Sequence, residues 1–337
     1  MISLSILDQS PIIEGGTALE AFSRTVQLVQ EAETWGYRRF WVAEHHHTIS
    51  LVGSSPEVLI AHLAARTKQI RLGSGGVMLP HYSSFKVAEN FRVLEALAPG
   101  RIDLGLGRAP GGMPIATQAL QEGKLSTVDN YPLQLDDLAG YLYDQLQPGH
   151  RFEGLYATPV IPTAPEVWLL GSSDYSARLA AEKGTGFAFA QFINGSGGPD
   201  ATRSYKQRFK PSLMGEHPRT IVAVFVICAE TEEEAEKLAS SLDLMLLEFR
   251  QGKRNAGIPT LERAQKYNYS PFERMIVKEN RERMIIGSKD QVKAQILSLS
   301  EEYETEEFMV VTRTHDFQAT LNSYHLLAEA FGSKEGD

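Results

Sequence analysis

The chain has 337 residues, of which 42% are hydrophobic and 22% are charged, and this is the composition of a folded protein with a sizeable core. Its formal net charge of −9, without a block of Lys or Arg, excludes nucleic acid and anionic membrane surfaces as partners. No apolar run is long enough to cross a bilayer and the N-terminus lacks the features of a signal peptide, so we expect a cytoplasmic protein.

Short apolar, β-branched runs alternate along the chain with longer amphipathic segments, a pattern typical of βαβ units in a parallel sheet. The predicted strands cover residues 3–7, 39–43, 70–77, 101–107, 166–170, 187–190, 220–228 and 308–312. The predicted helices cover residues 18–35, 56–67, 85–97, 128–146, 175–183, 200–209, 232–249 and 291–303, and one more helix closes the chain. Eight such units predict an α/β fold of the (β/α)8 TIM-barrel type as a single domain over residues 1–337, although two smaller domains remain an alternative.

Two segments interrupt the repeat and predict insertions after the fourth and the seventh strands. A Gly- and Pro-rich loop covers residues 109–127, and a segment rich in Arg, Lys and Tyr covers residues 251–283. Both follow the carboxyl ends of strands, where barrel enzymes build their active sites. Long loops at that face are more often lids or binding loops than spacers, so we expect residues 251–283 to form a mobile lid.

The densest group of polar residues, Glu44 to His47, directly follows the second predicted strand. Strand alternation would place His45 and His47 on one face and His46 on the other. A His-x-His pair can bind zinc, but catalytic zinc needs a third protein ligand, and the other strand ends offer mostly Gly, Ser and Arg. We therefore predict no metal site and expect a neutral histidine that acts on substrate or cofactor, with plain surface histidines as the alternative.

Glycine-rich sequence ends the third and the fourth predicted strands. Gly75 and Gly76 lie at the end of the third strand, and glycines inside a strand mark a bulge or the close approach of a bulky group. Their peptide bond is a candidate for a non-proline cis peptide. The fourth strand ends in Gly-Leu-Gly-Arg, which places Arg108 at the barrel mouth, and the planar guanidinium suits phosphate.

A Gly/Ser turn ends the fifth predicted strand and opens a helix. Gly171, Ser172 and Ser173 there present free backbone N–H groups and the positive end of a helix dipole to an anion. The same serines could serve as simple helix caps. Together with Arg108 on the neighbouring strand end, the turn predicts a phosphate site, and the histidine and glycines nearby indicate a flat phosphorylated cofactor.

Other catalytic motifs are absent from the sequence. It has no Walker loop, no nucleophilic-serine elbow and no Gly-x-Gly-x-x-Gly dinucleotide motif. Carboxylates at strand ends are limited to Asp8 and Glu44, which disfavours a glycosidase. The single cysteine, Cys228, excludes an internal disulfide and lies in an apolar run, which predicts a buried structural thiol.

Four motifs, in this order and spacing, resemble the bacterial-luciferase-like flavin monooxygenases. They are Trp-Val-Ala-Glu-His-His at residues 41–46, the glycine-rich run at 73–80, Leu-Gly-Leu-Gly-Arg at 104–108 and Leu-Gly-Ser-Ser at 170–173. The resemblance covers nearly the whole chain and implies reduced FMN as a co-substrate, together with O2 and a small organic substrate. It also implies a separate NAD(P)H:flavin reductase and a homodimer, but it does not identify the substrate.

The resemblance also implies roles for individual residues. The family's catalytic histidine near the reduced flavin falls on His45, and its cis peptide against the flavin ring falls on Gly75–Gly76. Its phosphate-contacting arginine falls on Arg108. The phosphate-binding turn and the border of the flavin fall on Gly171, Ser172, Ser173, Ser176 and Asn194.

The sequence departs from the family pattern at two positions. The luciferase catalytic subunit has a reactive cysteine where this chain has Gly107, which argues against light emission. Its Ala-Ala pair at the end of the third strand is here Gly75–Gly76, which would relax the contact with the ring. Three alternatives stay open: hydride transfer with a deazaflavin, a non-catalytic flavin-binding protein and a zinc hydrolase.

Overall fold

The computed structural model describes residues 2–108, 112–123, 128–253 and 257–332. The strands are β1 (Ser3–Asp8), β2 (Arg39–Val42), β3 (Arg71–Ser74), β4 (Val77–Met78), β5 (Ile102–Gly107), β6 (Glu166–Gly171), β7 (Gly186–Ala190), β8 (Thr220–Ala229), β9 (Met284–Ser288) and β10 (Glu307–Val311). The helices are α1 (Ala18–Thr34), α2 (Pro56–Ala64), α3 (Ser84–Leu97), α4 (Pro114–Leu120), α5 (Tyr131–Leu142), α6 (Asp174–Lys183), α7 (Gly198–Arg208), α8 (Glu232–Arg250), α9 (Leu261–Lys266), α10 (Pro271–Arg281), α11 (Lys289–Tyr303) and α12 (Phe317–Phe331). Short 3-10 turns cover Leu79–His81 and Val128–Asn130.

Eight of these strands close into a parallel barrel with helices around it. Neighbours pair in the order β1, β2, β3, β5, β6, β7, β8 and β10, and β10 pairs back to β1. The predicted (β/α)8 fold is therefore confirmed. None of the described helices has both the length and the apolar composition that a membrane span requires.

Two short strands were not predicted from the sequence. β4 follows the Gly75–Gly76 bond and pairs with the end of β5. β9 pairs in parallel with residues 225–229 of β8, although the sequence assigned this part of the chain to a long connection. Its five residues follow directly on the charged helix α10, so the apolar run is too short to stand out from its surroundings.

The two predicted insertions lie where the sequence placed them. The first carries α4, and residues 109–111 and 124–127 of the predicted loop lie outside the described residues. The second carries α9 and α10 and is followed by β9, and residues 254–256 of the predicted lid lie outside the described residues. The helix predicted at 128–146 is shorter, because it starts as a 3-10 turn and ends before Asp144, whose φ is +54°.

Alternate residues of the barrel strands face two separate cores. Ile6 and Phe40 face outward and belong to the larger core, which also contains the helix residues Leu28 and Ile60. The next residues along the strands face the barrel interior. The interior core includes Leu7, Trp41, Trp168, Phe225, Met309 and Val311.

The only cysteine, Cys228, lies on β8 and is buried, as the sequence predicted. Its burial raises the pKa of the thiol to about 12. The thiolate is the reactive form of cysteine, so this side chain is chemically inert at neutral pH.

An ion network around Arg39 fills the amino-terminal end of the barrel. The Nε atom of Arg39 lies 2.8 Å from Oε1 of Glu307, and its Nη1 atom lies 2.9 Å from Oδ2 of Asp103. The same Nη1 lies 3.0 Å from Oε2 of Glu166. The side chains of Arg39 and Asp103 are at most 1% exposed. These residues stand at or near the starts of four different strands, so the network ties the bottom of the barrel together.

The two interior tryptophans lie directly on this network. The Nε1 atom of Trp41 donates to Oδ2 of Asp103 at 2.9 Å. The guanidinium of Arg39 lies 4.8 Å from the ring centroid of Trp168, and the two indole rings meet edge to face at 5.8 Å. Charged groups and indoles therefore occupy the lower half of the interior, and a ligand has to enter from the carboxyl ends of the strands.

Asp103→Ala tests the importance of the network. The change removes the shared acceptor of Arg39, Trp41 and Arg71 and leaves buried cations less compensated, so we expect the free energy of unfolding to fall by about 3–5 kcal/mol. The free energy is measured by urea unfolding.

The control is Asp200→Ala, which breaks an exposed pair with Arg203 on α7 and should change stability by less than about 0.5 kcal/mol. Similar losses in the two variants would contradict a structural role for the network.

Candidate functional site

The interior positions that follow the tryptophan layer are mostly small. Trp41, Gly73, Gly105 and Gly186 lie at the level of the tryptophans. Two residues further along the same strands, the next interior positions are Ala43, Gly75, Gly107 and Ala188. Positions without bulky side chains let a flat group approach the backbone closely. The carboxyl end of this barrel is therefore built to receive a ligand, as in other barrels of this type.

The Gly75–Gly76 peptide is cis, as predicted. The Gly75 N–H donates to the carbonyl of Val42 at 2.8 Å, which holds this bond against the end of β2. A Cβ on Gly76 would lie 2.7 Å from the carbonyl oxygen of Gly105, and a Cβ on Gly75 would lie 2.6 Å from a methyl group of Leu7. At Gly76 the close neighbour is backbone, so a side chain there would force the strands apart, whereas at Gly75 the Leu7 side chain could move aside.

His45 follows β2, and its imidazole carries a ring nitrogen that no described residue uses. Its backbone N–H donates to the carbonyl of Gly53 at 2.8 Å, which fixes the main chain. The ring atom Nδ1 is buried and makes no hydrogen bond within the part of the chain that the structure describes. Burial, followed by the charges of Arg313 and His46, lowers the pKa of His45 to about 4. The ring is therefore neutral at neutral pH, and its buried nitrogen is available to a ligand.

The neighbouring histidines do not share this environment. β2 ends at Val42, so the alternation expected for His45 and His47 does not apply. His47 is exposed and has a φ of +53°, whereas Nε2 of His46 lies 2.7 Å from Oε1 of Glu44. No group of three or more His, Cys, Asp or Glu residues able to hold a metal ion occurs among the described residues.

Glu44 supports the end of β2 and the segment after the cis peptide. Its side chain is 1% exposed. One carboxylate oxygen accepts the backbone N–H of Met78 at 2.9 Å, and the other accepts the hydroxyl of Tyr82 at 2.8 Å. The sequence marked Glu44 only as a strand-end carboxylate and missed Tyr82, which follows the 3-10 turn and reaches back by tertiary packing.

The predicted phosphate residues come together at the ends of β5 and β6. The guanidinium of Arg108 lies 4.3 Å from the ring centroid of Tyr175, in the first turn of α6. Ser173 is the N-cap of α6 but makes no side-chain capping bond, and its hydroxyl lies 3.4 Å from that of Ser176. A cation, two hydroxyl groups and a helix N-terminus therefore share one corner of the barrel mouth, which suits an anion.

Asn194 joins the same corner from the end of β7. Its Nδ2 atom donates to the carbonyl of Ser172 at 3.0 Å. Its Oδ1 atom accepts the backbone N–H of Ser196 at 3.2 Å, so the amide is oriented by both contacts. At the base of the turn, a Cβ on Gly171 would lie 2.2 Å from the hydroxyl oxygen of Ser176, so only glycine fits there.

The position that holds a cysteine in luciferase is occupied differently here. Gly107 ends β5, and a Cβ on it would lie 2.8 Å from the sulfur of Met78. Met78 on β4 therefore fills the space that a larger residue at 107 would use. Beyond β10, Asp316 has a structural role, because it caps α12 by accepting the N–H of Ala319 at 2.9 Å.

Comparison with known proteins identifies relatives over the full chain. The model of the luciferase-like monooxygenase family matches residues 2–304. Uncharacterized protein YwcH of Bacillus subtilis (strain 168) is 60% identical over 331 residues, which cover 98% of this chain and 99% of that protein. The N-acetyl-S-alkylcysteine monooxygenase of the same strain is 41% identical over 332 residues and 98% of each chain. The crystal structure of apo-MsnO8 matches with a TM-score of 0.91 and 37% identity over 99% of each chain.

Solved structures of lower identity share the fold alone. The oxygenating constituent of 3,6-diketocamphane monooxygenase from Pseudomonas putida, in complex with FMN, has a TM-score of 0.72 and 19% identity over 98% of this chain and 97% of that one. An F420-dependent secondary alcohol dehydrogenase has a TM-score of 0.65 and 12% identity over 98% of each chain. Barrels of this shape therefore occur with either cofactor.

The half-buried imidazole of His45, with its low pKa, predicts a particular dependence of stability on pH. The folded-state pKa of about 4 lies below the ordinary 6.5, so the unfolded chain binds the proton first as the pH falls. The contribution of His45 is present above about pH 6.5 and is lost towards pH 4, by up to about 3 kcal/mol. Urea unfolding between pH 4 and 7.5 measures it.

His45→Gln should flatten this part of the stability profile because glutamine does not titrate. The matched control His62→Gln, at an exposed position on α2, should keep the slope of the unaltered protein. Superimposable profiles for His45→Gln and the unaltered protein would show that His45 is not held neutral by burial.

Proposed function

This chain belongs to the luciferase-like monooxygenase family, and we propose that it is a reduced-FMN-dependent monooxygenase that transfers one atom of O2 to a small organic substrate. One observation carries the proposal: the neutral imidazole of His45, whose Nδ1 has no hydrogen-bond partner among the described residues, lies at the same end of the barrel as Arg108, Ser173 and Ser176. Reduced FMN would come from a separate NAD(P)H:flavin reductase, since the sequence has no dinucleotide motif of its own. From the family resemblance we also propose a cytoplasmic homodimer.

The order of the strands supports an elongated cofactor with a phosphate at one end. His45 follows β2, and the phosphate turn follows β6, three strands farther round the barrel. Neighbouring strands lie about 4.8 Å apart, so the two groups are separated by roughly 14 Å along the wall. Gly75 and Gly76 lie between them, where the flat ring would rest against the backbone.

The residues at the phosphate end have distinct tasks. Arg108 would supply the charge, while Ser173, Ser176 and the first N–H groups of α6 would supply hydrogen bonds. Gly171 would let the turn close, and Asn194 would hold Ser172 in place through its carbonyl. Each of these side chains belongs to a strand end or the first turn of a helix, so the cradle is preorganised.

Reduced flavin, when bound, activates O2 for oxygen-atom transfer. The neutral imidazole of His45 would take up a proton at a ring nitrogen and return it to the oxygen that leaves or is transferred. Exclusion of water would protect the reaction, and residues 251–283 would act as the mobile lid. Arg281 in this segment binds Asp243 of α8 through two contacts of 2.7 Å, which gives the lid a fixed attachment at its end.

The relative that acts on N-acetyl-S-alkylcysteine suggests where to look for the substrate. We propose thioethers of that type as the first compounds to assay, together with aldehydes and other small organic molecules. Thioethers can accept an oxygen atom because their sulfur carries lone pairs.

Arg108→Met tests the phosphate site without catalysis. The variant loses the cation that faces the serine turn, so we expect FMN to bind about tenfold or more weakly, whereas riboflavin, which lacks the phosphate, should bind unchanged. Fluorescence quenching of the two flavins measures the dissociation constants.

Arg178→Met is the matched control, since Arg178 lies on α6 and pairs with Asp174 on the helix surface. It should leave both flavins unaffected. Equal weakening of FMN and riboflavin in Arg108→Met, or tighter binding of the deazaflavin F420 than of FMN, would contradict the cofactor assignment.

His45→Gln tests the proton-transfer role. With a flavin reductase, NADH, FMN and the substrate panel, we expect oxygenated product to form at least about 100-fold more slowly than with the unaltered protein. FMN should bind within a factor of about two, because His45 lies at the end of the site opposite the phosphate turn. A product rate that survives the substitution would remove His45 from the chemistry.

A further inference from the structure

Arg313 is a buried cation at the barrel mouth that the proposed reaction does not use. It follows β10 and is 9% exposed. Its Nη2 atom donates to Oε1 of Gln9 after β1, and its Nη1 atom lies 3.8 Å from the sulfur of Met245 on α8. The guanidinium carbon lies 5.9 Å from the ring centroid of Phe225, and Nε is buried with no hydrogen-bond partner among the residues that the structure describes.

This guanidinium has no carboxylate partner within 4 Å in the described part of the chain, unlike the other two buried arginines there. Arg39 contacts three carboxylates, and Arg92 pairs with Asp144 at 2.6 Å. Asp8 acts on Arg313 only from beyond that distance, and its carboxylate is occupied by Thr25 and Ser10. A buried charge without a close counterion destabilises a protein, and an anionic ligand would supply the missing partner.

The position of Arg313 separates it from the phosphate site. Arg108 follows β5 and Arg313 follows β10, and these strands are four steps apart in either direction round the closed ring of eight. The two cations therefore stand on opposite sides of the mouth. One phosphate on the cofactor would satisfy Arg108, which leaves Arg313 for a second anion. Arg313 follows β10 and His45 follows β2, two strands apart round the ring, so this anion would lie on the His45 side of the mouth.

We propose that Arg313 binds the carboxylate of the organic substrate, and that the enzyme therefore acts on small organic acids. The proposal rests on the monooxygenase function proposed above and specifies its substrate class. The Nε–H and an unused Nη–H of Arg313 can hold a carboxylate through two parallel hydrogen bonds. Phe225 and Met245 next to the guanidinium supply an apolar contact for the rest of the molecule.

Equilibrium binding of matched acids and amides tests the proposal without reductant. The FMN-loaded protein is titrated in a calorimeter with N-acetyl-S-methylcysteine and its primary amide, and with phenylacetate, hexanoate and their amides. We expect at least one acid to bind about tenfold or more tightly than its amide, because only the acid compensates the buried charge.

Arg313→Gln should reduce this preference to about one, and Arg313→Lys should retain part of it. Arg203→Gln is the control, since Arg203 on α7 pairs with Asp200 on the helix surface and should leave the preference intact. The proposal is overturned if no pair in the panel favours the acid, or if Arg313→Gln binds acids as selectively as the unaltered protein.

Thermal unfolding distinguishes recognition from a structural role. If Arg313 awaits a ligand, Arg313→Gln should raise the melting temperature of the unliganded protein, because an uncompensated charge has been removed. A lower melting temperature together with an unchanged acid preference would make Arg313 a structural residue. An acid preference that depends on Arg313 in a protein without oxygenase activity would support the carboxylate site and contradict the proposed reaction, so the two failures are distinguishable.

Discussion

The contacts of Arg39 with three carboxylates determine which end of the barrel can hold a ligand. Burying a guanidinium costs free energy unless its charge is matched and its hydrogen bonds are used, and around Arg39 partners from three other strands provide both. Burial alone would raise the pKa of Glu166, but Arg39, Arg71 and Arg219 lower it overall, so the network stays ionised. The indoles of Trp41 and Trp168 pack on this network, so a ligand can occupy only the interior between the indoles and the carboxyl ends of the strands.

The contrast between Arg39 and Arg313 shows how one barrel treats buried charge in two ways. At the bottom, Arg39, Arg71 and Arg219 each pair with carboxylates of the protein, and these pairs join the starts of neighbouring strands. At the mouth, Arg313 and the imidazole of His45 keep unused hydrogen-bonding atoms, and the result is a site whose interactions are completed from outside. A protein tolerates incomplete polar groups of this kind mainly where binding or catalysis requires them.

Much of the fold could be read from the sequence because the strand and helix periodicities are strong, and strand ends of a parallel barrel always meet at one face. The cis bond at Gly75–Gly76 and the corner formed by Arg108, Ser173 and Asn194 follow from motifs at such ends. β9 was not predicted, because a strand of five residues beside a charged helix is too short to show a clear hydrophobic periodicity. Arg313 was not predicted as a site residue for another reason. The lack of a close carboxylate among the described residues depends on the folded structure, and the neighbouring sequence does not indicate it.

The packing of Met78 against Gly107 limits how this active site can diversify. The sulfur occupies the volume where a side chain at position 107 would begin, so a cysteine could enter there only after Met78 had become smaller or had turned away. Met78 and Gly107 are register partners on β4 and β5, so a substitution at either position changes the packing of the other. Because the contact is with the end of a flexible side chain, a thiol at position 107 would require a different rotamer of Met78 and no change in the strands themselves.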